Sequence, residues 1–184
     1  MLVEIGANAY GVELALAYAT DDNFTGRAVY RRAAAYLHPD AAAQLRRAVE
    51  LAAPLGLTLR IFDAFRPSEA QWKLWEHTPD PMFLADPRRG SPHSRGAAVD
   101  LTLVERGGRV LEMGTPFDDF TPRSWHGDIT ISPEAQRNRL LLLGLMSAAG
   151  WDFYSKEWWH YQLFNARAYP LYSDSALKLG LMSA

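Results

Sequence analysis

The decapeptide Ser91-Pro92-His93-Ser94-Arg95-Gly96-Ala97-Ala98-Val99-Asp100 constrains the fold most when it is joined to Glu157-Trp158-Trp159-His160. Any architecture that makes one site of the two must bring together segments about sixty residues apart. Two neutral imidazoles and one carboxylate suit Zn²⁺, and three protein ligands leave the fourth tetrahedral position for water. A cation there lowers the ionisation of that water to about pH 7. Glu157, three residues before His160, is placed to take the proton. Spacing alone leaves a plainer reading open, in which His93 and Asp100 form an ordinary polar pair and the two segments never meet.

The chain has no cysteine, so disulfides, thiolate metal sites and a cysteine nucleophile are excluded. A metal must then be held by carboxylates and by some of five histidines. His38 and His77 flank expected helices, where surface or capping roles fit them. His126 is the main rival ligand, ranked below His160 because it lacks an acid three residues before it. Nineteen basic against twenty-one acidic side chains give a formal charge of −2, which offers no electrostatic case for nucleic acid or an anionic membrane. The most apolar run, residues 140–146, is far shorter than the ~20 needed to span a bilayer. With no basic stretch at the N-terminus, the expectation is a soluble cytoplasmic chain.

At 184 residues the chain is expected to be one domain, 1–184. Hydrophobic patterning predicts a strand over 12–19, a turn over 21–26, a helix over 40–54 capped by Asp40, and a strand over 57–62. Pro67 then opens a helix continuing over 68–76, and a loop over 78–90 leads to a strand over 97–104 that carries Asp100. Gly107-Gly108 predicts a hairpin to a strand over 110–113, and Ser132 caps a helix over 133–149. Strands are expected over 151–153 and 157–164, while 166–184 shows no motif. Side-chain alternation along 157–164 puts Glu157 and His160 on opposite faces, so the backbone must turn between them for both to reach one cation. The pattern predicts an α+β fold with a central antiparallel sheet flanked by helices.

The run S-x-H-x-x-G-x-A-x-D, followed downstream by E-W-W-H, resembles the VanX-type D-alanyl-D-alanine dipeptidases, zinc enzymes that cleave the dipeptide D-Ala-D-Ala. Three more blocks match that family in order: Tyr18-Ala19-Thr20 with Asp22-Asn23-Phe24-Thr25-Gly26, then Asp63-Ala64-Phe65-Arg66-Pro67, then Met113-Gly114 with Phe117-Asp118. The resemblance implies a hedgehog/D-Ala-D-Ala-peptidase-like fold and one zinc ion per chain on His93, Asp100 and His160. It further implies Glu157 as general base and acid, Arg66 as stabiliser of the oxyanion, and Asp118 as holder of the substrate ammonium. Tyr18 and Ser91 are expected as weaker substrate contacts. Ser91 is a poor candidate nucleophile, since no neighbouring base and orienting acid accompany it.

Two other readings use the same residues. One is a D,D-carboxypeptidase acting on longer cell-wall peptides, which would need export and an open cleft, whereas a closed small pocket would explain selectivity for a dipeptide. The other is a zinc-stabilised binding module resembling hedgehog-type domains; Glu157 and Arg66 speak against it, because a structural zinc needs neither. The expected partner is a small dipeptide. Antibiotic resistance and scavenging of wall-derived D-alanine are both compatible with the sequence, which also leaves the oligomeric state open.

Overall fold

In the computed structural model, which describes residues 1–182, regular structure begins with β1 (Val3–Glu4), a single turn of helix α1 (Ala7–Tyr10) and β2 (Glu13–Leu14). The strand expected over 12–19 stops early, because Ala17–Ala19 coils into a 3₁₀ turn with Tyr18 fully buried inside it. β3 (Tyr36–Leu37) pairs antiparallel with β1. Helix α2 (Pro39–Ala52) is capped by His38, whose Nδ1 accepts from the Asp40 backbone N–H at 3.3 Å. Asp40, the expected cap, lies in the first turn instead, where its carboxylate complements the helix dipole.

β4 (Leu57–Asp63) leads to α3 (Ser68–His77), and β5 (Ala98–Glu105) follows the irregular stretch 78–92. β5 is buried at seven of its eight positions, as suits a central strand covered on both faces. Beyond the turn at Gly107-Gly108, the strand expected over 110–113 shrinks to one bridge between Val104 and Val110. Helix side chains claim the neighbouring carbonyls: Asn138 donates to Glu112 O at 2.8 Å and Arg139 to Met113 O at 2.6 Å. Both come from α4 (Pro133–Ala148), whose cap is Ser132 as expected. The chain ends in β6 (Asp152–Phe153), β7 (His160–Gln162) and α5 (Asp174–Leu177), the last a helical turn within the stretch that showed no motif.

The main sheet has the order β2-β4-β5-β7-β6. Its pairs are antiparallel except at one edge, where β2 and β4 run parallel. The long connection through α2 permits that one exception to the expected antiparallel sheet. Helices α2 and α4 cover one face over a core that includes Leu45, Leu59, Ile61, Leu101, Leu103 and Met146. Asp100 points to the other face. A bulge between Ile61 and Asp63 shifts the register so that Ile61 opposes Leu101 while Asp63 opposes Asp100. That extra residue turns the end of β4 away from the core and toward Asp100. Among the described residues, no helix is long and apolar enough to cross a membrane.

Candidate metal centre and its cavity

Asp100 and His160 stand directly opposite each other in the β5–β7 ladder, so their side chains share a face. His93 joins them from a 3₁₀ turn, His93–Arg95, that Gly96 ends at φ 64°. A Cβ at position 96 would lie 2.7 Å from Leu2 Cδ2 and 2.9 Å from His38 N, so both conformation and space require glycine there. The three buried side chains converge. Asp100 Oδ1 lies 3.0 Å from His160 Nδ1, Asp100 Oδ2 lies 3.2 Å from His93 Nε2, and the two ring nitrogens are 3.1 Å apart.

Both outward nitrogens have acceptors. His93 Nδ1 donates to Ala64 O at 2.7 Å, and His160 Nε2 donates to Gln162 Oε1 at 3.2 Å. With both rings neutral, each turns a lone pair toward the other and toward Asp100, and either a shared proton or a cation between them relieves the repulsion. Burial works to raise the Asp100 carboxyl, but positive charge at His93 and His160 outweighs it and holds the group well below the usual carboxylate range. A divalent cation would supply that charge with both imidazoles neutral. The donor set fits such an ion, with one ligand atom from each residue lying within 4.8 Å of the others.

Residues 157–159 turn where a strand was expected: the His160 N–H donates to Glu157 O at 3.3 Å, and the Glu157 N–H to Tyr154 O at 3.2 Å. The turn removes the conflict of faces and leaves Glu157 Oε2 3.9 Å from His160 Nδ1. Burial first, and then the charge of Asp100, push the Glu157 carboxyl well above its ordinary range, with Arg66 opposing.

Arg66 follows the β4 bulge and is locked by three acceptors: Asp63 Oδ2 at 2.8 Å, Gln71 Oε1 at 3.1 Å and Asp100 Oδ2 at 3.4 Å. Its guanidinium carbon sits 5.0 Å from the centre of the Tyr18 ring. Burial disfavours the charge, but Tyr18, Asp63, Tyr30 and Asp100 more than compensate and keep the group cationic. Sequence reasoning missed Tyr30, which donates to Asp63 at 2.8 Å, and Gln71, which also ties α3 to Ala85 O at 2.7 Å. Neither has a local signature, since each acts on a residue outside its own motif.

Asp118 adopts φ 60° and accepts from the Tyr18 hydroxyl at 2.9 Å. Burial, followed by the charge of Asp100, pushes its carboxyl well up. Ser91 Oγ accepts from the His93 N–H at 3.1 Å, so it shapes the turn that presents the imidazole. His126 stands apart from the ligand atoms, packed against Phe153 and Tyr161. All eight residues singled out from the sequence line one cavity of about 1200 Å³.

Over residues 2–178 the sequence matches the peptidase family described as D-Ala-D-Ala dipeptidase. It is 44% identical over 173 residues to a D-alanyl-D-alanine dipeptidase of Escherichia coli (strain K12), covering 94% of this chain and 90% of that protein. Proteins of the same description from Enterococcus faecium and Streptomyces coelicolor (strain ATCC BAA-471 / A3(2) / M145) are each 35% identical over 178 residues. The matched regions cover 84% of this chain and 87% of the first protein, and 83% of this chain and 86% of the second.

Proposed function

This chain belongs to the peptidase family of D-Ala-D-Ala dipeptidases, and from that premise we propose that it hydrolyses D-alanyl-D-alanine to two D-alanines at a zinc ion held by His93, Asp100 and His160. One observation carries the reading: two imidazoles and a carboxylate converge at a buried site with Glu157 3.9 Å from His160. Zinc, when bound, acidifies water and polarises a peptide carbonyl.

Glu157 accepts the proton of the attacking water and returns it to the leaving amine, and its burial favours holding that proton between the two events. Arg66 has five N–H groups, of which three are committed to Asp63, Gln71 and Asp100. The remaining two are available to the carbonyl oxygen as negative charge develops there, in a position fixed before the reaction. Asp118 and the Tyr18 hydroxyl receive the substrate ammonium, whose charge makes ionised Asp118 tolerable in a buried place. Ser91 contributes by positioning His93 and by lining the pocket.

The test is metal content and D-alanine release measured on one preparation before and after chelation, with D-Ala-D-Ala compared against a longer peptide ending in the same pair. Stoichiometric zinc, loss of turnover on its removal and preference for the dipeptide are expected. Preference for the longer peptide would replace the dipeptidase with a D,D-carboxypeptidase. Full activity without metal would remove the mechanism.

A further inference from the structure

The cavity is larger than two alanines require: its roughly 1200 Å³ exceeds even the ~300–1,000 Å³ of pockets that bury drug-sized ligands. Its charges are also sorted by depth. The floor carries the buried Asp100 and Glu157 and the half-buried Asp118, with Arg66 already committed. The mouth carries four further guanidiniums in a chain whose net charge is −2. Arg88 is paired with Asp86 at 2.8 Å, and Arg95 donates to the backbone carbonyls of Arg167 and Tyr169. Arg89 and Arg167 are exposed and form no salt bridge among the described residues, although the charge of Arg89 helps hold down the carboxyl of Asp86, which also lines the cavity.

The floor has a direction. Trp159, entering β7, packs edge-on against Phe117, the neighbour of Asp118, at 5.4 Å. β7 then presents His160 and Gln162 on the cavity face, and the chain beyond it reaches Arg167. The order along the floor is thus the Asp118 end, the three ligands, and the guanidinium mouth. A dipeptide with its ammonium at Asp118 and its peptide carbonyl over the ligands points its leaving residue at the mouth.

We propose that Arg89 and Arg167 form an outer subsite that selects an acidic side chain on the leaving residue, so that D-alanyl dipeptides ending in D-glutamate or D-aspartate are substrates of this site. The inference rests on the dipeptidase reading for the direction in which substrate lies. It gives an occupant to the two exposed guanidiniums that line the cavity.

The test compares kcat/KM for D-Ala-D-Glu and its neutral isostere D-Ala-D-Gln on the zinc-loaded protein and on the double variant Arg89→Ala, Arg167→Ala. The parent is expected to favour the glutamate by about fivefold, the scale of two solvent-screened ion pairs. That ratio should shrink in high salt and fall to near one in the variant. A ratio of one in the parent, or a ratio that survives loss of both guanidiniums, would overturn the subsite. Should D-Ala-D-Ala itself go uncleaved, the dipeptidase reading falls separately. Calorimetric binding of the same two dipeptides then decides the subsite: tighter D-Ala-D-Glu sustains it, and equal affinities sink it.

Discussion

Asp100 and His160 face each other because the ladder between β5 and β7 pairs them, whereas Asp118 stands on residues 113–125, which no ladder holds. Apart from a 3₁₀ turn, Pro122–Ser124, that segment is irregular. Side chains hold it instead. Arg139 donates to Met113 O at 2.6 Å, to Arg123 O at 2.8 Å and to Trp125 O at 3.0 Å, while Trp158 Nε1 donates to Thr115 Oγ1 at 2.9 Å. Arg139 is buried with only uncharged acceptors, and burial pulls its guanidinium down to about 10. One wall of the cavity spreads its constraint over many backbone bonds, and the other leans on a few side chains, Arg139 foremost. Damage to the first should therefore appear in chemistry and damage to the second in substrate capture.

The largest expected effect tests the first wall. Glu157→Gln should lower kcat by ~10³-fold, within the range for removing a general base, with metal content unchanged. Undiminished kcat would take Glu157 out of the reaction. Arg139→Met attacks the second wall. It leaves one buried and two partly buried carbonyls short of a donor, so stability to urea should drop by about 3 kcal/mol. KM for D-Ala-D-Ala should rise roughly tenfold with kcat little changed, as expected when a group that binds ground state and transition state alike is displaced. Loss of metal in this variant would show that the two walls are not separable.

The smallest effect concerns His126, which packs against Phe153 and Tyr161 outside the cavity lining. Burial first, and Arg139 second, lower its imidazole to about 4. The unfolded chain takes up this proton near pH 6.5, so between pH 6.5 and 4 it binds more protons than the folded protein. Stability therefore falls as pH falls through that window, by about 2 kcal/mol after allowance for residual exposure. Urea unfolding at pH 7 and 4.5 should show a shallower loss for His126→Leu than for the parent. Parallel losses would mean that the imidazole titrates normally.

The same contrast explains what was legible beforehand. The strands bearing Asp100 and His160 announce themselves through apolar and strand-favouring aromatic residues, and the clash of faces at Glu157 demanded the turn that residues 157–159 make. The bulge that aims Asp63 toward Arg66 left no trace, because an extra residue in a strand looks like any other residue. Arg139, Tyr30 and Gln71 were equally silent, since their bonds join positions distant along the chain. The parallel edge pairing of β2 with β4 escaped for a related reason: two residues of β2 carry too little pattern to declare a direction.

Gly96 has a practical consequence for anyone retuning selectivity by directed evolution. Its bare α-carbon is where the His93 loop nestles against Leu2 and His38, so a library that varies position 96 would fill with misfolded members. Diversity is better placed at positions 89 and 167, whose exposed side chains can be exchanged without disturbing that joint.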